Sequence, residues 1–98
     1  MRLQPYEVTA IKTATNDVFG ASAVVRLFGS RVDDRLRGGD IDLHIEVDAL
    51  TNETQARSMF ERKLFERIDP QKVDVVLTVR GGIPRGFERV AYRDGIVL

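Results

Sequence analysis

Asp40-Ile41-Asp42-Leu43-His44-Ile45-Glu46-Val47 alternates polar and aliphatic side chains without a break. A period of two marks a strand with one buried face. Ile41, Leu43, Ile45 and Val47 are expected on one side, with Asp40, Asp42, His44 and Glu46 on the other. Asp40 and Asp42 then share a face, roughly 6–7 Å apart along the backbone. Carboxylates so placed can close on a shared pair of divalent cations about 3.5–4 Å apart.

Upstream, Ala23 to Phe28 reads as a short valine-rich strand that runs into Gly29-Ser30. A small-residue turn there can hold phosphate through backbone N–H groups and a hydroxyl. Pro5 suits the first turn of a preceding helix and Gly20 its stop, with Val8, Ile11, Ala14 and Val18 as the apolar stripe. Arg31 to Arg35 reads as a short helix, and Arg37-Gly38-Gly39 must turn. Downstream, a helix is expected from about Asn52 to Ile68, capped by Thr51 or Asn52, burying Ala56, Met59, Phe60, Leu64 and Ile68. Asp69-Pro70 ends it, and Lys72 to Val79 forms a third strand carrying Asp74. Gly81-Gly82 is a turn, Pro84 to Tyr92 a final short helix, and Gly95 to Leu98 an extended tail. The fold class is α/β (α+β): a small mixed sheet of three core strands with helices mainly on one face, read as a single domain over 1–98.

Strand directions assemble the polar residues. Gly29-Ser30 ends the first strand and Asp40 begins the second, so these ends are neighbours if the two run antiparallel. A helical crossover returns the third strand parallel to the second. Asp40, Asp42, Asp74 and the Gly-Ser turn then meet at one corner of the sheet. Three crowded carboxylates resist full ionisation without a counter-charge, and a pair of Mg²⁺ ions supplies it through hard oxygen ligands. Phosphate grip beside metal grip is the equipment of nucleotidyl transfer.

The bulk numbers narrow the partners. Fifteen basic and fifteen acidic side chains cancel over 98 residues, which argues against a broad phosphate-tracking surface; nucleic acid is not expected as a direct partner. With no cysteine there is neither a disulfide nor a thiolate metal site. No apolar run approaches a membrane span, and Met1-Arg2-Leu3-Gln4-Pro5 lacks the apolar core of a secretory signal. A cytoplasmic protein without membrane contact is expected.

Leu27-Phe28-Gly29-Ser30-Arg31, Gly39-Asp40-Ile41-Asp42-Leu43 and Val73-Asp74-Val75-Val76 together resemble the minimal nucleotidyltransferases of the DNA polymerase beta superfamily. The resemblance spans nearly the whole chain. Nine residues separate Ser30 from Asp40, one fewer than is common in that family, and Gly38-Gly39 can absorb the difference. The resemblance implies an enzyme that uses ATP and two Mg²⁺ ions. Asp40, Asp42 and Asp74 would be catalytic and metal-binding, with Gly29, Ser30 and Arg31 on the nucleotide phosphates. Small stand-alone members are similar to antitoxins of toxin–antitoxin pairs whose partner is a helical HEPN-type protein. Some transfer AMP to a tyrosine of that partner. The expected activity is therefore protein adenylylation. The alternatives are an antitoxin with an idle site that acts by complex formation, or transfer to a small molecule or an RNA end. Transfer must also exclude water and position an acceptor, so the missing wall is expected from another molecule or a second copy of this one.

Other polar residues carry weaker signals. His44, the single histidine, is expected in a packed or partner-facing role, and Glu46 on a solvated strand face. Arg26 pairs either with Glu46 or with an active-site carboxylate. Lys72 shares the face of Asp74 and reads first as surface charge, with phosphate contact as the alternative. Arg57, Arg62, Lys63 and Arg67, mixed with Glu53, Glu61 and Glu66, form a salt-laced helix surface.

Overall fold

The computed structural model describes residues 1–32 and 39–98, with the side chains of Ser30 and Phe87 outside that set. The expected helix over Arg31–Arg35 falls in it only as far as a 3₁₀ turn, Gly29–Val32; its remainder, the Arg37-Gly38-Gly39 turn up to Gly38, and the Ser30 hydroxyl lie outside the described residues. The elements are α1 (Pro5–Phe19), β1 (Val24–Phe28), β2 (Ile41–Val47), α2 (Glu53–Phe65), β3 (Val73–Val79), α3 (Gly86–Asp94) and β4 (Ile96–Val97).

Helix α1 starts at Pro5, whose fixed φ suits the first turn. The Glu7 carboxylate accepts from the Gln4 N–H at 2.9 Å, satisfying a donor at that end. Gly20 stops the helix at φ 92°, in the left-handed region that a β-carbon disfavours. Asn52 caps α2, its Oδ1 accepting from the Gln55 N–H at 3.0 Å.

The sheet order is β3-β2-β1-β4, with β1 antiparallel to β2 and β4, and β2 parallel to β3. The expected extended tail thus pairs as a fourth strand, Ile96 opposite Leu27 and Val97 opposite Arg26. One face of the sheet is apolar. Val25, Leu27, Ile41, Leu43, Ile45, Val47, Val73, Val75 and Leu77 pack against Ala10, Ile11 and Ala14 of α1 and Phe60 and Leu64 of α2. Each fully buried aliphatic or aromatic side chain contributes about 1.5–3 kcal/mol. Met59, expected in the stripe of α2, is instead 41 % exposed. It borders a cleft between the end of α1 and the start of α2, beside Phe19 and Leu50.

The third helix takes the other face. Ala91 is fully buried there, and Tyr92 stands edge-on to His44 with ring centres 4.7 Å apart. The two larger helices lie on the apolar side, while α3 covers the middle and far end of the polar side. At the near end, Phe28 of β1 opposes Asp42 of β2, and Asp42 opposes Asp74 of β3.

Candidate active site

Asp42 and Asp74 hold the same register on adjacent parallel strands, so their side chains leave the same face of the sheet. The expected convergence of β2 and β3 at one edge is what the structure contains. Asp42 is half-buried, and its carboxyl is pushed above the usual range. Burial is the largest cause, followed by the charges of Asp74 and Asp40 and a hydrogen-bond contact with the Asp74 carboxyl. Two carboxylates can share such a contact only around a proton or a cation.

Gly29 lies directly against Asp42. Its φ is 78°, and a Cβ there would collide with Asp42 Oδ2. The turn therefore demands glycine twice over, for its backbone and for the space that the carboxylate occupies.

Asp40 stands one step out, its side chain 47 % exposed, with Oδ2 3.4 Å from Lys72 Nζ. The Lys72 ammonium is held above its usual pKa, first by that hydrogen-bonded contact and then by the charges of Asp40 and Asp74. Lys72 thus faces the carboxylates as a cation, beyond plain surface charge.

Arg31 is tied to protein groups. Its guanidinium donates to Arg2 O at 3.0 Å, to Gly39 O at 2.8 Å and to Gln71 Oε1 at 3.2 Å. One side chain thereby braces the N-terminal segment, the residue before Asp40 and the approach to β3.

The far half of the same face is chemically different. Glu46 accepts from the Tyr92 hydroxyl at 2.5 Å, lies 3.9 Å from Arg26 and 3.6 Å from Arg80, and is only 14 % exposed. The expectation of a solvated Glu46 is corrected here, since α3 lies over it and brings Tyr92 down onto its carboxylate. Arg26 takes the Glu46 option and also sits over the Tyr92 ring, 4.8 Å from its centre. The Tyr92 hydroxyl is pushed up to about 12, by burial first and the Glu46 contact second. His44 is fully buried, with Nε2 2.8 Å from Thr78 Oγ1. Burial, then the Arg26 charge, holds its pKa below the ordinary histidine value. A neutral imidazole also fits Nδ1, which makes no hydrogen bond among the described residues. Thr78 was within reach of sequence reasoning, because Asp74, Val76 and Thr78 alternate on one face of β3. Tyr92 was not, because nothing local says which side of the sheet α3 takes.

Among the described residues, no group of three or more His, Asp or Glu side chains is arranged to hold a metal ion as it stands. Asp42 and Asp74 meet, while Asp40 is engaged by Lys72. The donor chemistry nevertheless fits Mg²⁺: oxygen ligands alone, and one carboxyl already destabilised in its charged form. Clefts open elsewhere, one of about 460 Å³ beside Glu46, Tyr92 and the Gly81-Gly82 turn, another of about 360 Å³ between α1 and β4. No helix is long and apolar enough to cross a membrane among the described residues.

Residues 8–98 match the family model described as a nucleotidyltransferase domain. No curated protein matches the chain.

Proposed function

The chain belongs to the nucleotidyltransferase domain family, and from that premise we propose that it transfers AMP from ATP to a protein hydroxyl, that of a tyrosine on a helical HEPN-type partner, and so acts as an antitoxin. The observation that carries the chemistry is the in-register pair Asp42 and Asp74 beside Gly29, with Asp40 at the rim. These three carboxylates would hold two Mg²⁺ ions, which when bound neutralise phosphate charge and ease loss of the acceptor proton.

The remaining steps fall to the chain itself. The Gly29-Ser30 turn faces the β- and γ-phosphates and, by its backbone N–H groups, orients the chain of phosphates for in-line displacement. The acceptor oxygen bonds to the α-phosphorus as the bond to the β-phosphate oxygen breaks, and pyrophosphate leaves. Asp74, the exposed member of the pair, is open to the incoming hydroxyl and takes its proton. Arg31 keeps Gly39, and with it Asp40, in place.

A protein acceptor is supported by the openness of the corner, because Asp40 and Asp74 both reach solvent. Transfer without wasteful hydrolysis needs that side closed, and the molecule that brings the hydroxyl can close it. A second reading, an antitoxin that works by complex formation with an idle site, draws on the engagement of Asp40 by Lys72. The two are separated by incubating labelled ATP, Mg²⁺, this protein and any short helix-rich protein found in the neighbouring reading frame, followed by mass spectrometry. Added AMP on a partner tyrosine, lost with Asp42→Asn, is expected. A tight complex with no added AMP would leave the idle-site reading standing instead.

A further inference from the structure

Lys72 stands at the open rim of the corner with its side chain 68 % exposed and its Nζ 3.4 Å from Asp40 Oδ2. It precedes Asp74 by two residues, so the ammonium and the carboxylate leave the chain on the same side. We propose that Lys72 is a built-in counter-cation, which neutralises Asp40 in the unloaded protein, yields that carboxylate when a divalent ion arrives, and then turns to the triphosphate. The inference rests on reading the corner as a metal-dependent nucleotidyl-transfer site, and goes beyond it by giving one residue two successive partners.

The charges at the corner require something of this kind. Three carboxylates at one corner are unfavourable without a cation nearby, and Asp42 and Asp74 are already in contact. Among the described residues, Asp40 is the corner carboxylate in ion-pair contact with a cation, Lys72. A largely exposed ion pair is weak and easily exchanged. The four-carbon stem of lysine lets the ammonium swing without moving the backbone. An ammonium and a divalent ion compete for the same carboxylate oxygens, so Lys72 opposes binding of metal alone. Once displaced, its charge is free to attract the phosphates, so it favours binding of metal together with nucleotide. One side chain thus has effects of opposite sign on two binding steps. A merely structural lysine would have neither.

The experiment measures Mn²⁺ affinity by electron paramagnetic resonance of the free ion, in wild type, Lys72→Met, Lys72→Arg and Asp42→Asn. Each is studied with and without a non-cleavable ATP analogue. Without nucleotide, Lys72→Met should bind Mn²⁺ about two- to fivefold more tightly than wild type, the scale expected of an exposed ion pair. The same variant should bind the Mn²⁺–analogue complex more weakly than wild type, and Lys72→Arg should resemble wild type without nucleotide. Unchanged or weaker Mn²⁺ binding by Lys72→Met overturns the proposal while leaving the site intact, provided that wild type binds and Asp42→Asn does not. A wild type that binds no Mn²⁺, with or without the analogue, removes the site reading and the counter-cation together.

Discussion

Asp42 and Glu46 lie on one strand, on one face, two alternations apart, and the protein treats their carboxylates in opposite ways. Glu46 is enclosed by the Tyr92 hydroxyl, Arg26 and Arg80. Its charge is matched, and helix α3 is fastened to the sheet through it. Asp42 is half-buried beside two further carboxylates, and its charged form is disfavoured. Net stabilisation comes from the end where donors match acceptors. The other end sets Asp42 and Asp74 against each other, the arrangement proposed above to hold cations. The same residue chemistry thus serves cohesion at one end of β2 and, on the proposed function, reactivity at the other.

The largest effect expected from breaking this contrast is at Asp42. On the proposed function, Asp42→Asn should lower AMP transfer about a thousandfold or more, since one proposed ligand of the cation site is gone. It should also leave the metal-free protein at least as stable as wild type at neutral pH. The sign follows from linkage: a carboxyl raised in the folded state costs stability as pH rises through the unfolded value of 3.8 toward the folded one, and asparagine removes that cost. Calorimetry at pH 7 checks this, and a marked fall in Tm would contradict it. Saturating Mg²⁺ should raise the Tm of wild type, by an amount equivalent to about 2.7 kcal/mol at a hundredfold excess over Kd, and leave Asp42→Asn unmoved.

Next in size is the satisfied end. Tyr92→Phe removes a hydrogen bond to a charged group and should destabilise by about 1.5–3 kcal/mol in urea unfolding. Mn²⁺ affinity should be unaffected, because the hydroxyl serves Glu46 at the far end of the strand. Loss of metal binding in that variant would mean that the two ends are coupled.

The smallest effect is the pH dependence set by His44. Its folded pKa lies below the unfolded value of 6.5, so the unfolded chain binds the extra proton first. The stability due to a neutral His44 is therefore complete above pH 6.5 and is lost progressively as the pH falls below it. Replacing His44 with Gln should flatten the stability profile between pH 6.5 and 5, read by denaturant midpoints at each pH.

Much of this architecture is legible in the chain. The alternation over residues 40–47 gave β2 its faces, Gly20 and Asn52 marked helix ends, and the crossover length implied the parallel pairing that sets Asp74 beside Asp42. The fate of Glu46 was not legible, because it depends on a nine-residue helix crossing back over the polar face. Amphipathic periodicity says that α3 has an inner side, and says nothing about which face of the sheet receives it. The two-residue β4 was missed for a related reason: its strand character comes from β1 alongside, and its own length is too short to carry a pattern. Arg31 shows a third limit. Its bracing of the Arg2 and Gly39 carbonyls follows from the packing of distant segments, which the residues around it do not announce.

The pairing of β2 with β3 has a consequence for how the chain finds its fold. A slip of β3 by one residue would carry Asp74 to the side where α2 packs and send Val75 outward. An unpaired carboxylate trapped among aliphatic groups costs several kcal/mol, far more than a misplaced valine. The acidic side chain proposed to hold a cation is thereby also a sentry against misalignment, so that a chain reaching the native sheet already has Asp74 set beside Asp42.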